Sequence, residues 1–123
     1  MNNTVLTEKE IVETARKCAR MMSEKKAKDI VLMDLRRVNN YLDYFLLATG
    51  NSVIHCRSLA KEVQKALAMS NVKSRNKSNL DSEWIVLDYN EIVVHIFTQE
   101  TRDFYQLEKL WGDATVMSYE RTE

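Results

Sequence analysis

The first clear pattern in the chain is helical. Thr7 and Glu10 have the spacing of a capping box. After them, apolar residues recur every three or four positions, so we predict a helix from about Glu8 to Lys26. One face of this helix is apolar and consists of Ile11, Val12, Ala15, Cys18, Ala19 and Met22.

Two short apolar runs follow, at residues 29–35 and 44–49, and each is bounded by polar residues. Runs of this length are typical of strands that are buried on both faces. Residues 50–52 (Gly-Asn-Ser) end the second run and can cap a second helix, which ends near Ser70. The apolar face of this helix is predicted to be Ile54, Leu59, Ala60, Val63 and Leu67.

Residues 72–75 are predicted to form the next strand. A strand, helix, strand crossover of this kind should be right-handed, with its two strands parallel. Residues 76–82 are polar and indicate a loop. We expect residues 84–88 and 91–97 to form a hairpin, because both are apolar and rich in branched residues and Asn90 between them tolerates a positive φ angle.

The last predicted element is a short helix capped by Thr98 or Gln99 and ended by Gly112. Residues 115–123 show no period, so we expect a loose tail. The prediction is thus one α/β domain over 1–114, with a mixed sheet of five strands flanked by helices. The apolar side of the last helix is predicted to be Phe104, Leu107, Leu110 and Trp111.

Composition agrees with a single domain of mostly regular structure. The 123 residues are 45% hydrophobic and include no proline and two glycines. The apolar runs fall far short of the roughly twenty residues that a membrane span needs. The N-terminus lacks the apolar region of a signal peptide, so Cys18 and Cys56 are expected to be reduced thiols in the cytoplasm.

Charge is distributed unevenly although the formal net charge is zero. Residues 1–80 carry fifteen Lys or Arg and eight Asp or Glu, which sum to +7, whereas residues 81–123 carry three and ten, which sum to −7. An acidic segment of this size favours a basic protein as partner over nucleic acid. The alternative is that both segments are solvated surfaces of a neutral domain.

The candidate residues for metal or covalent chemistry are few. The adjacent His55 and Cys56 could be completed as a zinc site only by His95 and Cys18, at spacings that match no zinc motif. A nucleophilic Cys56 would need a base, and His55 lies about 100° around the helix from it. His95 lies in the most apolar strand, where a hydrogen-bonded structural role is the default.

Residues 50–52 lie between a strand and a helix, where a nucleotidyl-transferring enzyme would hold phosphate on backbone amides. Such an enzyme also needs two or three converging carboxylates for magnesium. The helix that follows offers only Glu62, and Asp88 stands alone where the carboxylate pair should be. This enzymatic alternative is therefore weak.

Aromatic residues near the end of the chain are the strongest candidates for a binding surface. Seven aliphatic or aromatic residues of the same elements already supply a core, so Trp84, Tyr89, Tyr105 and Trp111 should not all be buried. Aromatic rings at a rim beside acidic residues have the composition of an interface hot spot. The alternative is that two of the four rings are core and the others are isolated on the surface. The acids in question are Asp88, Glu108 and Asp113.

Several ordered segments resemble the ribosomal silencing factor family, RsfS, also called the Iojap family. They are DIVLMDL from Asp29, DYFLLATGNS from Asp43, WIVLDYNEIVVHIF from Trp84 and the pattern R-x-x-Y-x-L-E-x-L-W-x-D-A from Arg102. The resemblance covers about residues 8–114. It implies a mixed α/β sheet related to the nucleotidyltransferase fold without its catalytic carboxylates, no cofactor or metal, and no enzymatic activity.

The resemblance also implies a function. A protein of this family would bind the fourteenth protein of the large ribosomal subunit, block association with the small subunit and lower translation when nutrients are limiting. A metal-dependent nucleotidyltransferase-like enzyme and a homodimeric scaffold with another partner are the alternatives. The residues expected to contact the partner are Trp84, Asp88, Tyr89, Tyr105, Glu108, Leu110, Trp111 and Asp113.

Two positions depart from the family pattern. Family members usually have glycine where this chain has Asn90, which can still form the turn. They also tend to carry a Glu-Gly pair where this chain has Lys77 and Ser78. The reversed charge leaves the role of the loop at 76–82 open.

Overall fold

The computed structural model of the protein describes residues 6–119 and contains one mixed five-stranded sheet. The strand order is β3-β4-β2-β1-β5. Strands β2 and β4 are parallel, and the other neighbouring pairs are antiparallel. In chain order the elements are α1 (Glu8–Glu24), β1 (Lys28–Asp34), β2 (Tyr44–Gly50), α2 (Val53–Met69), β3 (Trp84–Asp88), β4 (Ile92–Thr98), α3 (Gln99–Tyr105), α4 (Leu107–Leu110) and β5 (Thr115–Met117).

The two faces of the sheet are covered differently. Helices α1 and α2 pack on the first face and enclose the larger hydrophobic cluster. On the second face lies a smaller cluster around Phe45, Leu47 and Phe97, against which Trp84 and Trp111 pack. Alternation along β3 produces this division, because Ile85 and Leu87 are buried toward the helices while Trp84, Val86 and Asp88 lie on the second face, half-buried. The second face is therefore the less completely covered side.

Both long helices begin with the caps that the sequence predicts. Thr7 accepts a hydrogen bond from the backbone N–H of Glu10, and the Glu10 carboxylate accepts one from the backbone N–H of Thr7. Ser52 accepts from the backbone N–H of His55 at the start of α2. Ile54 was expected on the buried side of α2, but it is 72% exposed, and the fully buried Cys56 lies in the core instead.

Gly50 permits close packing between the end of β2 and the start of α2. A Cβ atom at this position would lie 2.6 Å from Sγ and 3.0 Å from the backbone nitrogen of Cys56. Since neither partner is the end of a flexible side chain, we expect Gly50→Ala to lower the free energy of unfolding by about 1–3 kcal/mol. Chemical denaturation would measure the loss.

Gly112→Ala is the matched control for Gly50→Ala. The nearest atom to its added Cβ would be the Lys109 carbonyl oxygen at 3.5 Å, an ordinary contact. Its stability should therefore stay within about 0.5 kcal/mol of wild type. Equal stabilities of the two variants would contradict the role assigned to Gly50.

The predicted strand at 72–75 is wrong. This segment has no strand structure: one backbone bond, from the N–H of Arg75 to the Asp88 carbonyl, reaches β3, and side chains bind the outer edge of β3 elsewhere. Asn76 donates to the Val86 carbonyl and accepts from the backbone N–H of Asp88. Because the amide side chain occupies these backbone groups, no regular ladder forms there. The parallel partner of β2 is instead β4.

Two further predictions about the end of the chain are wrong. The single helix ending at Gly112 is broken into α3 and α4, because Gln106 has a left-handed backbone with φ 47°. Residues 115–117, expected in a loose tail, form β5 against β1. The carbonyl of Ser118 also accepts from the Arg16 guanidinium, which fastens the segment to α1. The rest of the predicted tail, residues 120–123, lies outside the described residues.

The hairpin between β3 and β4 agrees with its prediction. The turn uses Asn90 at φ 75°, which confirms that asparagine takes the position usually filled by glycine. Strand β1 is less buried than predicted, since only Leu32 and Met33 in it are fully covered and Lys28 and Asp29 are exposed. Burial of β2 on both faces is confirmed along all seven residues.

Candidate functional site

Six aromatic rings form a continuous row on the second face of the sheet. Adjacent ring centroids in this row lie between 4.5 and 6.4 Å apart. Such separations are typical of favourable tilted and edge-to-face pairs. From one end to the other the aromatic row consists of Phe104, Tyr105, Trp84, His95, Phe45 and Trp111.

Exposure is greatest at the α3 end of the aromatic row. Phe104 is 78% exposed and Tyr105 is 56% exposed, whereas His95 and Phe45 near the middle are buried. Trp84 and Trp111 are half-buried. Leu110, 70% exposed, adds a further apolar side chain on α4. We call the set Trp84, Phe104, Tyr105, Leu110 and Trp111, with Asp88, Glu108 and Asp113, the aromatic-acidic surface.

The residues predicted to contact a partner are placed differently by the structure. Seven of the eight have exposed or half-buried side chains, but Tyr89 is only 5% exposed and packs in the core beneath α1 and α2. The prediction for Tyr89 is wrong, because the residue after Asp88 faces the helices. The other seven are Trp84, Asp88, Tyr105, Glu108, Leu110, Trp111 and Asp113.

Phe104 belongs to the surface although the helical pattern of apolar residues predicts it on the core side. Phe104 and Tyr105 are adjacent on a helix and therefore point about 100° apart, so one packing surface cannot cover both rings. Adjacent aromatics on a helix of only seven residues were the signal for an exposed ring.

Arg102 holds α3 and α4 to the sheet. Its guanidinium is 6% exposed and donates to the Asp29 carbonyl at 2.6 Å, the Thr49 hydroxyl at 2.7 Å and the Glu108 carboxylate at 2.9 Å. The cation also lies 5.3 Å from the centre of the Phe97 ring. A buried guanidinium needs several acceptors at fixed angles. Arg102 thus connects α3, α4 and the ends of β1 and β2.

An open cleft of about 630 Å³ lies beside Arg102. Its lining is largely polar and charged and includes Asp29, Asp103, Glu108 and Lys109. Sites for small organic ligands are usually enclosed and mostly apolar. The cleft therefore has the character of a solvated surface rather than of a substrate pocket.

The other chemical candidates have structural roles. Both cysteines are free and buried, and burial raises the pKa of the Cys18 thiol to about 12 and raises that of Cys56 as well. A thiol with a raised pKa is a poor nucleophile. His55 accepts from the backbone N–H of Asn51 and lies 2.8 Å from the Lys25 carbonyl, which joins the two helices. Within residues 6–119, no group of three or more His, Cys, Asp or Glu side chains is arranged to hold a metal ion.

Two of the backbone amides that a phosphate cradle at the turn 50–52 would use already have partners. The backbone N–H of Asn51 binds His55, that of His55 binds Ser52, and Cys56 fills the space next to Gly50. Amides that are already bonded are not free to bind an anion.

In the part of the chain that the structure describes, no helix is long and apolar enough to cross a bilayer.

His95 is a buried neutral residue. Burial lowers its pKa to about 4, although the nearby negative charge of Asp88 raises it in part. The unfolded chain binds a proton near pH 6.5 and the folded chain only near pH 4. The contribution of neutral His95 to the free energy of unfolding is therefore fully present above pH 6.5. It is lost as the pH falls toward 4, and the loss is about 3 kcal/mol at most.

Urea denaturation at several pH values would test this expectation. His95→Leu is the matched variant, because the carboxylates that also titrate in this range are common to both proteins. The free energy of unfolding should fall less steeply between pH 6.5 and 4 in the variant than in wild type. Parallel curves for the two proteins would refute it.

The fold and the site together define a small α/β protein with a mixed five-stranded sheet and exposed aromatic residues on one side of it. Comparison with known proteins gives the family. Residues 8–123 match the family described as ribosomal silencing factor during starvation, RsfS, and the protein belongs to this family. The family consists of ribosome-associated regulators and is not a known enzyme family.

Relatives of the protein are found in bacteria and in organelles. The ribosomal silencing factor RsfS of Bacillus subtilis is 32% identical over 110 residues, which cover 89% of this chain and 91% of the relative. The chloroplastic protein Iojap of Zea mays is 30% identical over 79% of this chain and 42% of its own length. A crystal structure of a Chromobacterium violaceum protein superposes with a TM-score of 0.76 at 28% identity and covers 95% of both chains.

Proposed function

We propose that the protein binds the large ribosomal subunit through the fourteenth ribosomal protein of that subunit and keeps the small subunit from joining. It would do so in the cytoplasm and would lower translation when nutrients are limiting. Membership of the RsfS family supports the ribosomal partner. The structural observation that carries the proposal is the aromatic-acidic surface.

The apolar part of this surface suits a protein partner. Three of the seven exposed large hydrophobic residues within residues 6–119 lie near one another in sequence on α3 and α4, namely Phe104, Tyr105 and Leu110, each more than half exposed. Aromatic residues in the centre of an interface commonly supply most of its binding energy. Trp84 and Tyr105 pack against each other with ring centroids 4.8 Å apart, and this contact lowers the side-chain entropy that the two rings would lose on binding.

The charge of the surface suits a basic partner. Residues 81–123 hold ten Asp or Glu and three Lys or Arg. One of those three cations, Arg102, is buried and bound to Glu108, which leaves the exposed acids in excess. Ribosomal proteins are generally basic, so opposite charges would steer the encounter and set its orientation.

The mechanism that we propose is steric. A folded domain bound at the face where the two subunits meet excludes the small subunit by its volume, and no bond needs to be made or broken. The fraction of blocked subunits then equals the fraction that carries the protein. Repression would therefore follow the ratio of protein concentration to dissociation constant.

Co-sedimentation with isolated large subunits tests the proposal. We expect binding that weakens as salt rises, because salt screens the exposed acids. Asp113→Lys reverses an exposed acid within the surface, and Glu24→Lys reverses an exposed acid at the end of α1. The first variant should bind several-fold more weakly and the second should bind like wild type.

A subunit-joining assay separates binding from inhibition. Addition of small subunits should yield fewer joined ribosomes in proportion to the occupancy of the large subunits. Large subunits that bind the protein but still join normally would exclude the steric mechanism. Failure of the wild type to bind large subunits would overturn the proposed function as a whole.

A further inference from the structure

The centre of the aromatic row contains a hydrogen bond between two side chains. The indole Nε1–H of Trp84 donates to Nδ1 of His95 at 3.0 Å, across the neighbouring strands β3 and β4. An indole ring has only this one donor and no acceptor. The bond therefore fixes the direction in which the Trp84 ring points.

This bond also determines the state of His95. Because the indole nitrogen can only donate, Nδ1 must be the unprotonated nitrogen and the proton must be on Nε2. Nε2 is buried and has no hydrogen-bond partner within residues 6–119. A buried N–H without an acceptor lowers stability. An aliphatic residue would avoid that loss but would leave the indole N–H of Trp84 without its acceptor, so the histidine is needed at this position for the ring of Trp84.

The neighbours of the two rings show what the histidine does for Trp84. His95 is only 6% exposed, and the Phe45 ring lies against it with centroids 4.5 Å apart. Trp84 contacts Phe97 and Tyr105 and keeps part of its surface open to solvent. A buried acceptor, packed against Phe45, thus holds a half-exposed ring.

We propose that His95 is a positioning residue, which holds the indole of Trp84 through Nδ1 in the orientation that docks on a basic ribosomal protein. The inference rests on the proposed function and deepens it. A ring that is already ordered loses less freedom on binding, so losing this order should weaken the affinity by roughly fivefold to tenfold. The role of His95 is thus exerted through Trp84 and needs no contact with the partner.

Three substitutions of His95 test this inference in the full-length protein. Asparagine places an amide oxygen near the position of Nδ1 and can still accept from the indole. Leucine removes the acceptor, and glutamine places its amide nearer the position of Nε2. We expect His95→Asn to bind large subunits within about twofold of wild type and the other two to bind roughly fivefold to tenfold more weakly.

The indole N–H signal of Trp84 supplies a readout that does not depend on the ribosome. Trp111→Phe assigns this signal in a ¹H–¹⁵N spectrum. Its exchange with solvent should be slow in wild type and His95→Asn and fast in His95→Leu and His95→Gln. If His95 only stabilised the fold, its variants would change the melting temperature, but indole exchange and affinity would not change together.

The outcomes separate this inference from the function on which it rests. If wild type binds large subunits and His95→Leu or His95→Gln binds equally well with fast indole exchange, the positioning role is wrong and the proposed function stands. Weak binding by His95→Asn despite slow exchange would also overturn the positioning role. If wild type does not bind large subunits, both are overturned. Should His95→Leu fail to fold, His95→Gln alone decides.

Discussion

Replacing Arg102 with methionine is expected to lower the free energy of unfolding by about 2–4 kcal/mol. Methionine has a similar volume but cannot donate a hydrogen bond. The Thr49 hydroxyl loses a donor in a buried place, the Asp29 carbonyl loses one in a half-buried place, and Glu108 loses its ion pair. Chemical denaturation would measure the loss, and hydrogen exchange should increase most in α3, α4 and β5.

Two variants show which part of the Arg102 interaction matters. Glu108→Gln keeps an acceptor oxygen and, since Glu108 is 40% exposed, should cost less than about 1 kcal/mol. Arg102→Lys keeps the charge but lacks the fork of donors that reaches three acceptors, so its loss should be intermediate. If Arg102→Lys were as stable as wild type, charge alone would explain the site and the geometric account would be wrong.

Much of the fold could be predicted because local patterns and tertiary packing agree there. The period of apolar residues and the capping box of Thr7 and Glu10 locate α1, and the structure confirms both. In the hairpin, the same alternation that favours strands also separates the helix side from the second face, and Asn90 supplies the turn. Four of the five strands in the mixed sheet are among the predicted ones, and the fifth is β5 in place of the predicted strand at 72–75.

The failures lie where tertiary contacts decide the conformation. Residues 72–75 have the composition of a strand, but the side chain of Asn76 binds the β3 edge and prevents a ladder. Residues 115–117 have no period of their own and become a strand because the edge of β1 is available. Neither contact can be read from neighbouring residues in the sequence.

The candidate surface could be predicted only in part, because tertiary contacts also decide which of its side chains are exposed. The aromatic and acidic composition of the last third pointed to the region where exposed rings lie, but not to the side on which each ring lies. The break at Gln106 turns Leu110 outward, and the core under α1 and α2 takes Tyr89. Burial of Arg102 depends on the distant Asp29 and Thr49, so no local pattern reveals it.

The largest effect on binding is expected from the double substitution Phe104→Ala and Tyr105→Ala. Both rings are mainly exposed, with centroids 4.8 Å apart, and they form the outer end of the aromatic row. Aromatic hot-spot residues commonly contribute about 2 kcal/mol or more each, although such losses are not additive. We therefore expect affinity for large subunits to fall on the order of 100-fold or more.

Ile54→Ala with Met69→Ala is the matched control for this loss. These residues are 72% and 79% exposed and lie on α2, on the other side of the sheet. The control removes exposed apolar area outside the aromatic-acidic surface, so it should bind like wild type. Because Tyr105 also packs on Trp84, the first variant should lose about 1 kcal/mol of stability, which a melting curve would separate from lost contact. Similar weakening by both variants would show that binding depends on general surface hydrophobicity and not on the end of the aromatic row.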